Sequence, residues 1–168
     1  MVIASNPIQR FKMENLWIDM EYLDQLIDSC EVELIKRAYP FRRSFQHITQ
    51  IKGISALSAI LIISEIGIDM SQFESDKQLV SWAGLSPANN ESAGKKKSVR
   101  ISKAGQYLKP LLVQCALSAI KDKASYFGRK YSNIKKRRGH KKAIIAIARM
   151  MLVSIYHMIL TGEEFQPT

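Results

Sequence analysis

Spacings that would hold zinc are absent from this sequence. Its two cysteines, Cys30 and Cys115, lie far apart on segments of helical pattern, without a CxxC or a Cys/His pair beside them. Both are expected to serve as small core hydrophobes. A membrane span is also missing from the expectation: the longest apolar stretch, Ile54 to Ile68, is interrupted by Ser55, Ser58, Ser64 and Glu65 and is shorter than the roughly 18 residues required. The opening MVIASNPIQRFK has neither the basic start nor the apolar stretch and small-residue cleavage site of a secretory signal, so a cytoplasmic location is expected and no membrane partner. No segment reads as a convincing strand, which points to an all-α fold.

What is present is a chain able to bury a core and an uneven distribution of charge. With 46% hydrophobic and 24% charged residues in 168 positions, the composition is that of one ordinary domain plus an arm rather than a disordered polymer. The formal net charge is +10. Residues 1–50 carry six Lys/Arg against seven Asp/Glu, whereas residues 95–142 carry sixteen Lys/Arg against the single acid Asp122. One group is Lys95, Lys96, Lys97, Arg100 and Lys103; the other is Lys135, Lys136, Arg137, Arg138, Lys141 and Lys142, with Tyr107, Tyr126, Phe127 and Tyr131 between them. Density of this kind suits phosphate neutralisation and counterion release, so DNA is the expected partner; a solvated basic face without a specific ligand is the bland alternative.

From Met13 the residues Met13, Leu16, Met20, Leu23, Ile27, Cys30 and Leu34 recur at spacings of three and four. The pattern suits a heptad seam joining copies of the chain in a homo-oligomer, and equally a single amphipathic helix packed on its own domain. Pro40 ends the helix in either case. The boundaries follow: an arm over 1–44 and a compact helical domain over 45–168.

The stretch ITQIKGISALSAILIISEIG has the outline of a helix-hairpin-helix, with a tight turn at Gly53 and Ser55 in place of the second glycine. Such hairpins bring backbone N–H groups to a phosphate, which makes Gly53 and Ser55 candidate DNA contacts; an ordinary helical hairpin in the core is the alternative. A short helix is expected over Asp76 to Trp82, then a polar loop, SPANNESAGKKKSVR, without apolar period. Three helices should follow: Gly105 to Lys121, Ser125 to Lys136 and Lys141 to Leu160, with Gly128 and Arg138-Gly139 as the breaks. The last carries a wide apolar stripe, Ile144, Ile147, Ala148, Met151, Leu152, Ile155 and Ile159, with His157 at its rim.

The loop sets one hydroxyl, Ser92, before Ala93, Gly94 and the run of cations. Phosphoryl transfer to a serine needs its alkoxide and the five-coordinate phosphorus stabilised, and clustered cations supply that field while small neighbours allow close approach. A serine beside glycine and lysines is also commonly just a turn or phosphate-contact residue.

The blocks GISALSAILIISEIG, QLVSWAGLSP, ESAGKKKSVRISKAGQYLKPLL and KKRRGHKKAIIAIARMMLVSIYHMI, in this order and spacing, resemble the C-terminal transposase domain of the IS-one-ten, IS-one-sixteen and IS-nine-oh-two type insertion-sequence transposases. That family includes the Piv invertase and bridge-RNA-guided recombinases. The resemblance covers roughly residues 45 to 168, and the helix before Pro40 resembles the coiled-coil connector that precedes this domain. It implies bacterial, nucleoid-associated DNA transposition and recombination through a covalent serine–DNA intermediate, with Ser92 as nucleophile and Ser98 or Ser102 as fallbacks. It implies phosphate contacts for Lys95, Lys97, Arg100 and Lys103, and in some members a structured guide RNA. In the family, metal-binding carboxylates for Mg2+ sit on an N-terminal RuvC-like domain. No such cluster is expected here, where Glu65, Asp69, Glu74, Asp76 and Glu91 have no two-metal spacing, so no cofactor is expected in this chain. Two competing expectations are a non-catalytic scaffold holding DNA or guide RNA, and a purely structural oligomerisation piece.

Overall fold

The computed structural model describes residues 6–86 and 105–166, together with the backbone of 91–92 and 95–96. Among them are seven α-helices: α1 Pro7–Ala38, α2 Arg42–Ile48, α3 Ala56–Ile66, α4 Asp76–Trp82, α5 Leu108–Ala119, α6 Tyr126–Arg138 and α7 His140–Thr161. Short 3-10 turns cover Tyr39–Phe41 and Met70–Gln72. The all-α expectation holds. Within the expected polar loop, however, two strands of two residues each pair antiparallel, β1 Glu91–Ser92 with β2 Lys95–Lys96.

Local chemistry explains the ends of these helices. Asn6 accepts the Ile8 N–H at 2.9 Å and Pro7 occupies the first helical position of α1, where a missing N–H costs nothing. Ser55, Ser75 and Ser125 cap α3, α4 and α6 in the same way. Gly128 does not break the chain as expected. It lies in the first turn of α6, its N–H donated to Ser125 Oγ at 3.1 Å. Its bare α-carbon admits the Asp122 carbonyl, since a Cβ there would stand 2.1 Å from that oxygen.

The chain divides into two units, residues up to Pro40 and residues from Phe41. The first contains α1. Taken by itself, α1 buries none of its residues; Met13, Leu16, Met20, Leu23 and Ile27 are all more than half exposed. Cys30 is exposed too, against expectation, because it shares this unburied helix, while Cys115 is buried in the core.

The second unit is organised around α7, which packs against α4, α5 and α6, while α3 packs on α2 and α5. The expected stripe is the reason: Ile147, Ala148, Met151, Leu152 and Ile155 have no exposed surface, and Ile144 keeps 5%. Each large side chain so buried contributes about 1.5–3 kcal/mol. By length and apolarity α7 would pass for a membrane span, but half of its apolar window is buried inside this unit. Its apolar face therefore already has a protein partner. His157 is exposed at the edge of the stripe.

Candidate nucleic-acid interface

Two helices meeting at one glycine build the densest described cationic surface. Gly139 ends α6 and begins α7 with φ 79° and ψ 169°, a backbone region essentially open to glycine alone. Lys135, Lys136, Arg137 and Arg138 fill the last turn of α6, where positive charge complements the helix dipole. On the other side of the glycine, His140, Lys141 and Lys142 open α7, whose first turn holds no acid and whose cap residue makes no side-chain hydrogen bond. Cations at a helix N-terminus oppose its dipole. The arrangement lowers stability unless an anion joins the free amides and the lysines there.

No acid among the described residues forms an ion pair with this corner; the pairs found among them join Arg10 to Glu14, Arg37 to Glu33 and Lys52 to Asp122. The six Lys and Arg side chains from Lys135 to Lys142 are all exposed, as is His140. Aromatic side chains support the corner from below. The Lys135 ammonium lies 5.7 Å from the Tyr131 ring centre, and Lys130 lies 5.2 Å from that of Tyr126. The Tyr131 hydroxyl lies 2.7 Å from His140 Nδ1 across the turn. Arg149, which sequence reasoning does not single out, lines a cleft together with Arg138, Lys141 and Lys142 of this corner. That residue stands two turns along α7 from Lys141 on the same face, too far along the chain to be counted in the run.

Ser92 is paired through its backbone with Lys95, and Glu91 with Lys96. The side chains of these four residues, and Lys97, Ser98, Arg100, Ser102 and Lys103 altogether, lie outside the described residues. The two ends of the segment that carries them are described, and they meet. Gly105, at φ 70°, packs on Ala83 so closely that a Cβ would stand 2.3 Å from the Ala83 carbonyl oxygen. Gly105, just before α5, thus lies against the end of α4.

In the stretch from 48 to 67 the short helix expected before the glycine is not found: α2 ends at Ile48, a series of turns runs through Gly53, and α3 follows. The bare face of Gly53 is turned to protein: a Cβ would meet Ala119 N and the Cys115 carbonyl oxygen at 2.6 Å. The close approach that this glycine permits is to the end of α5. The Ser55 hydroxyl accepts the Ser58 N–H at 3.1 Å and lies 2.9 Å from Ser58 Oγ, which makes it a helix cap. Lys52, in the same turn, pairs with Asp122. The hydrogen bond from Lys52, with one from the Ala124 N–H, holds the Asp122 carboxyl below its ordinary value. Burial instead pushes the Cys115 thiol up, so it is a poor nucleophile.

No three His, Cys, Asp or Glu side chains among the described residues come together as metal ligands.

Against this geometry, three similarities can be set. The model of the family described as Transposase IS116/IS110/IS902 matches residues 45–133. The transposase for insertion sequence element IS1111A of Coxiella burnetii is 26% identical over 168 residues, covering 98% of this chain and 46% of its own length. The putative transposase y4qE of Sinorhizobium fredii is 34% identical over 67 residues, 39% of this chain and 17% of its own length. The chain thus spans less than half the length of these curated relatives. The family match includes Gly53, Ser55 and Ser92 but stops before the cations that begin at Lys135.

Proposed function

The chain belongs to the IS116/IS110/IS902 family of transposases, and on that premise we propose that it is the DNA-handling, serine-bearing part of a DNA transposase. The observation that carries this reading is the family match over residues 45–133, which spans the ESAGKKK segment. The uncompensated cations on either side of Gly139 support it independently of the family. They offer a phosphate-binding surface, and those on the α7 side of the glycine sit where the helix dipole opposes them.

In the proposed reaction the Ser92 oxygen attacks a backbone phosphorus. A serine–phosphate ester forms, the P–O bond to the departing strand breaks, and the departing sugar oxygen takes up the proton that serine gives up. Rejoining reverses the step with a new strand end, so the bond energy is conserved and no co-reactant is consumed. Lys95, Lys96, Lys97, Arg100 and Lys103 would hold phosphates beside the serine, with the α6–α7 corner holding the DNA further along. Where Mg2+ takes part, its carboxylates come from outside the described residues, on a RuvC-like domain of the family type. Copies of the chain associate through α1, whose seam is exposed when the helix is taken by itself. A guide RNA would use the same cationic chemistry.

The test joins this chain to a RuvC-like domain from a complete relative and offers nicked target DNA with Mg2+. A DNA adduct mapped to Ser92 by peptide mass spectrometry and absent from Ser92→Ala is the expected result. Recombination that survives Ser92→Ala would reassign the chain as a non-catalytic scaffold for DNA or guide RNA.

A further inference from the structure

Beside the basic corner lies a cleft of about 560 Å³ between the end of α6, the first half of α7 and the Gly84–Ser86 segment that follows α4. This is within the range of about 300–1,000 Å³ in which proteins hold small ligands. Its floor is apolar: Leu85, Ile134, Ile145 and Ala146 line it. Leu85 is buried and the other three are half-buried. Its rim is cationic, formed by Arg138, Lys141, Lys142 and Arg149, with no acid among the lining residues. Helical spacing produces this division. Ile134 and Arg138 are one turn apart on α6, while Lys141, Ile145 and Arg149 follow one another by single turns on α7.

A phosphate ribbon alone does not account for both halves of the cleft. Duplex DNA presents phosphates to a protein surface and keeps its base faces stacked inside, so it could satisfy the four cations but leave the apolar floor against water. An unpaired nucleotide offers both parts at once, an apolar base face and an adjoining phosphate. Guanidinium planes also cover base faces well, and two of the four rim cations are arginines. The Ser86 side chain on the lining adds a hydroxyl that can meet a base edge.

We propose that this cleft receives one unpaired nucleotide of DNA, its base on Ile134, Ile145 and Ala146 and its phosphates on Arg138, Lys142 and Arg149. The proposal rests on the DNA-handling role above and deepens it. The protein would then favour DNA that is locally opened, the state in which base faces are exposed and strands are free to exchange partners. Arg149, Leu85, Ile134, Ile145 and Ala146 become binding residues that charge counting along the chain does not reveal.

The experiment measures the affinity of this 168-residue chain by fluorescence anisotropy at one salt concentration. The probes are a fully paired DNA duplex and the same duplex with a single unpaired adenosine nucleotide. The wild-type chain is expected to bind the bulged duplex about tenfold more tightly, the scale of one well-held base. Ala146→Phe fills the cleft from a half-buried position outside the apolar core cluster. It should abolish the preference, read as the ratio of the two affinities. Arg149→Met, at an exposed position, tests the same point should the bulkier variant fail to fold, and should also reduce the preference several-fold. Equal wild-type affinity for the two duplexes, or a preference that survives in the folded variants, overturns the cleft assignment while leaving DNA binding intact. Failure of the wild type to bind either duplex overturns the DNA-handling reading together with it.

Discussion

The Tyr131 hydroxyl and His140 Nδ1 lie 2.7 Å apart across the glycine turn between α6 and α7, with their rings edge-on at 88°. This one hydrogen bond ties the last turns of α6 to the first of α7. It helps set the angle at which Lys135–Arg138 and Lys141–Lys142 face a common ligand. Tyr131→Phe removes the hydroxyl and keeps the ring beneath Lys135. Thermal unfolding should show a loss of about 0.5–1.5 kcal/mol, and DNA affinity should fall through loosening of the corner although every charge is kept. Unchanged affinity in a folded variant would show that the clamp does not organise the cations.

Replacing Lys135, Lys136, Arg137 and Arg138 together by Ala should weaken DNA binding for all sequences alike. The slope of log affinity against log salt should flatten by about 0.9 for each duplex phosphate that is no longer neutralised. A salt titration of both proteins checks this. An unchanged slope would mean that these cations do not touch phosphates.

Gly53→Ala and Gly139→Ala separate two uses of glycine. At Gly139, φ is +79° but an added Cβ would meet nothing within 4 Å, so the cost is conformational, about 1–3 kcal/mol. Gly53 combines φ +96° with a Cβ 2.6 Å from α5 backbone, so its substitution should cost more. Denaturant midpoints should place Gly53→Ala well below Gly139→Ala. The reverse order would contradict the packing of the α2–α3 turn on α5.

Asp122 bridges the two parts of the fold joined by Lys52, and its folded carboxyl titrates below its ordinary value of 3.8. A depressed folded pKa contributes stability that is fully present above the unfolded value. That contribution declines as pH falls below about 3.8 and through the folded value. Acid unfolding of Asp122→Asn should accordingly show less loss of stability over that window than the wild type. Parallel curves would remove the bridge from the acid response.

The seam of α1 should pair with a second copy. Light scattering at high protein concentration should return at least a dimer for the wild type and a monomer for Leu23→Asp, since a carboxylate at that position would be buried in the seam. A wild-type monomer under the same conditions would overturn the oligomer.

Much of the fold was legible residue by residue. Asp76–Trp82 was bounded correctly because Ser75 offers a cap and apolar residues follow at helical spacing. The stripe of α7 was legible because period 3.6 sustained over about four turns, from Ile144 to Ile159, is a strong local signal. Gly128 misled because a glycine in a polar stretch suggests a break, whereas here it relieves a close approach of the Asp122 carbonyl. Gly53 carried a similar ambiguity, since a tight glycine turn reads alike whether its open face meets a phosphate or a neighbouring helix.

The sequence by itself determined the helical class, most helix ends, the apolar stripe around which the second unit packs, and the segregation of cations into residues 95–142. These depend on caps, period and charge, which act between residues a few positions apart. Only the tertiary structure decided that Gly53 abuts Ala119, that Gly105 abuts Ala83, and that Leu85 and Arg149 line one cleft with Arg138. Such pairs are separated by tens of residues. What joins them is how α4, α5 and α6 pack on α7, and side-chain shape in a close-packed interior leaves no local pattern to read.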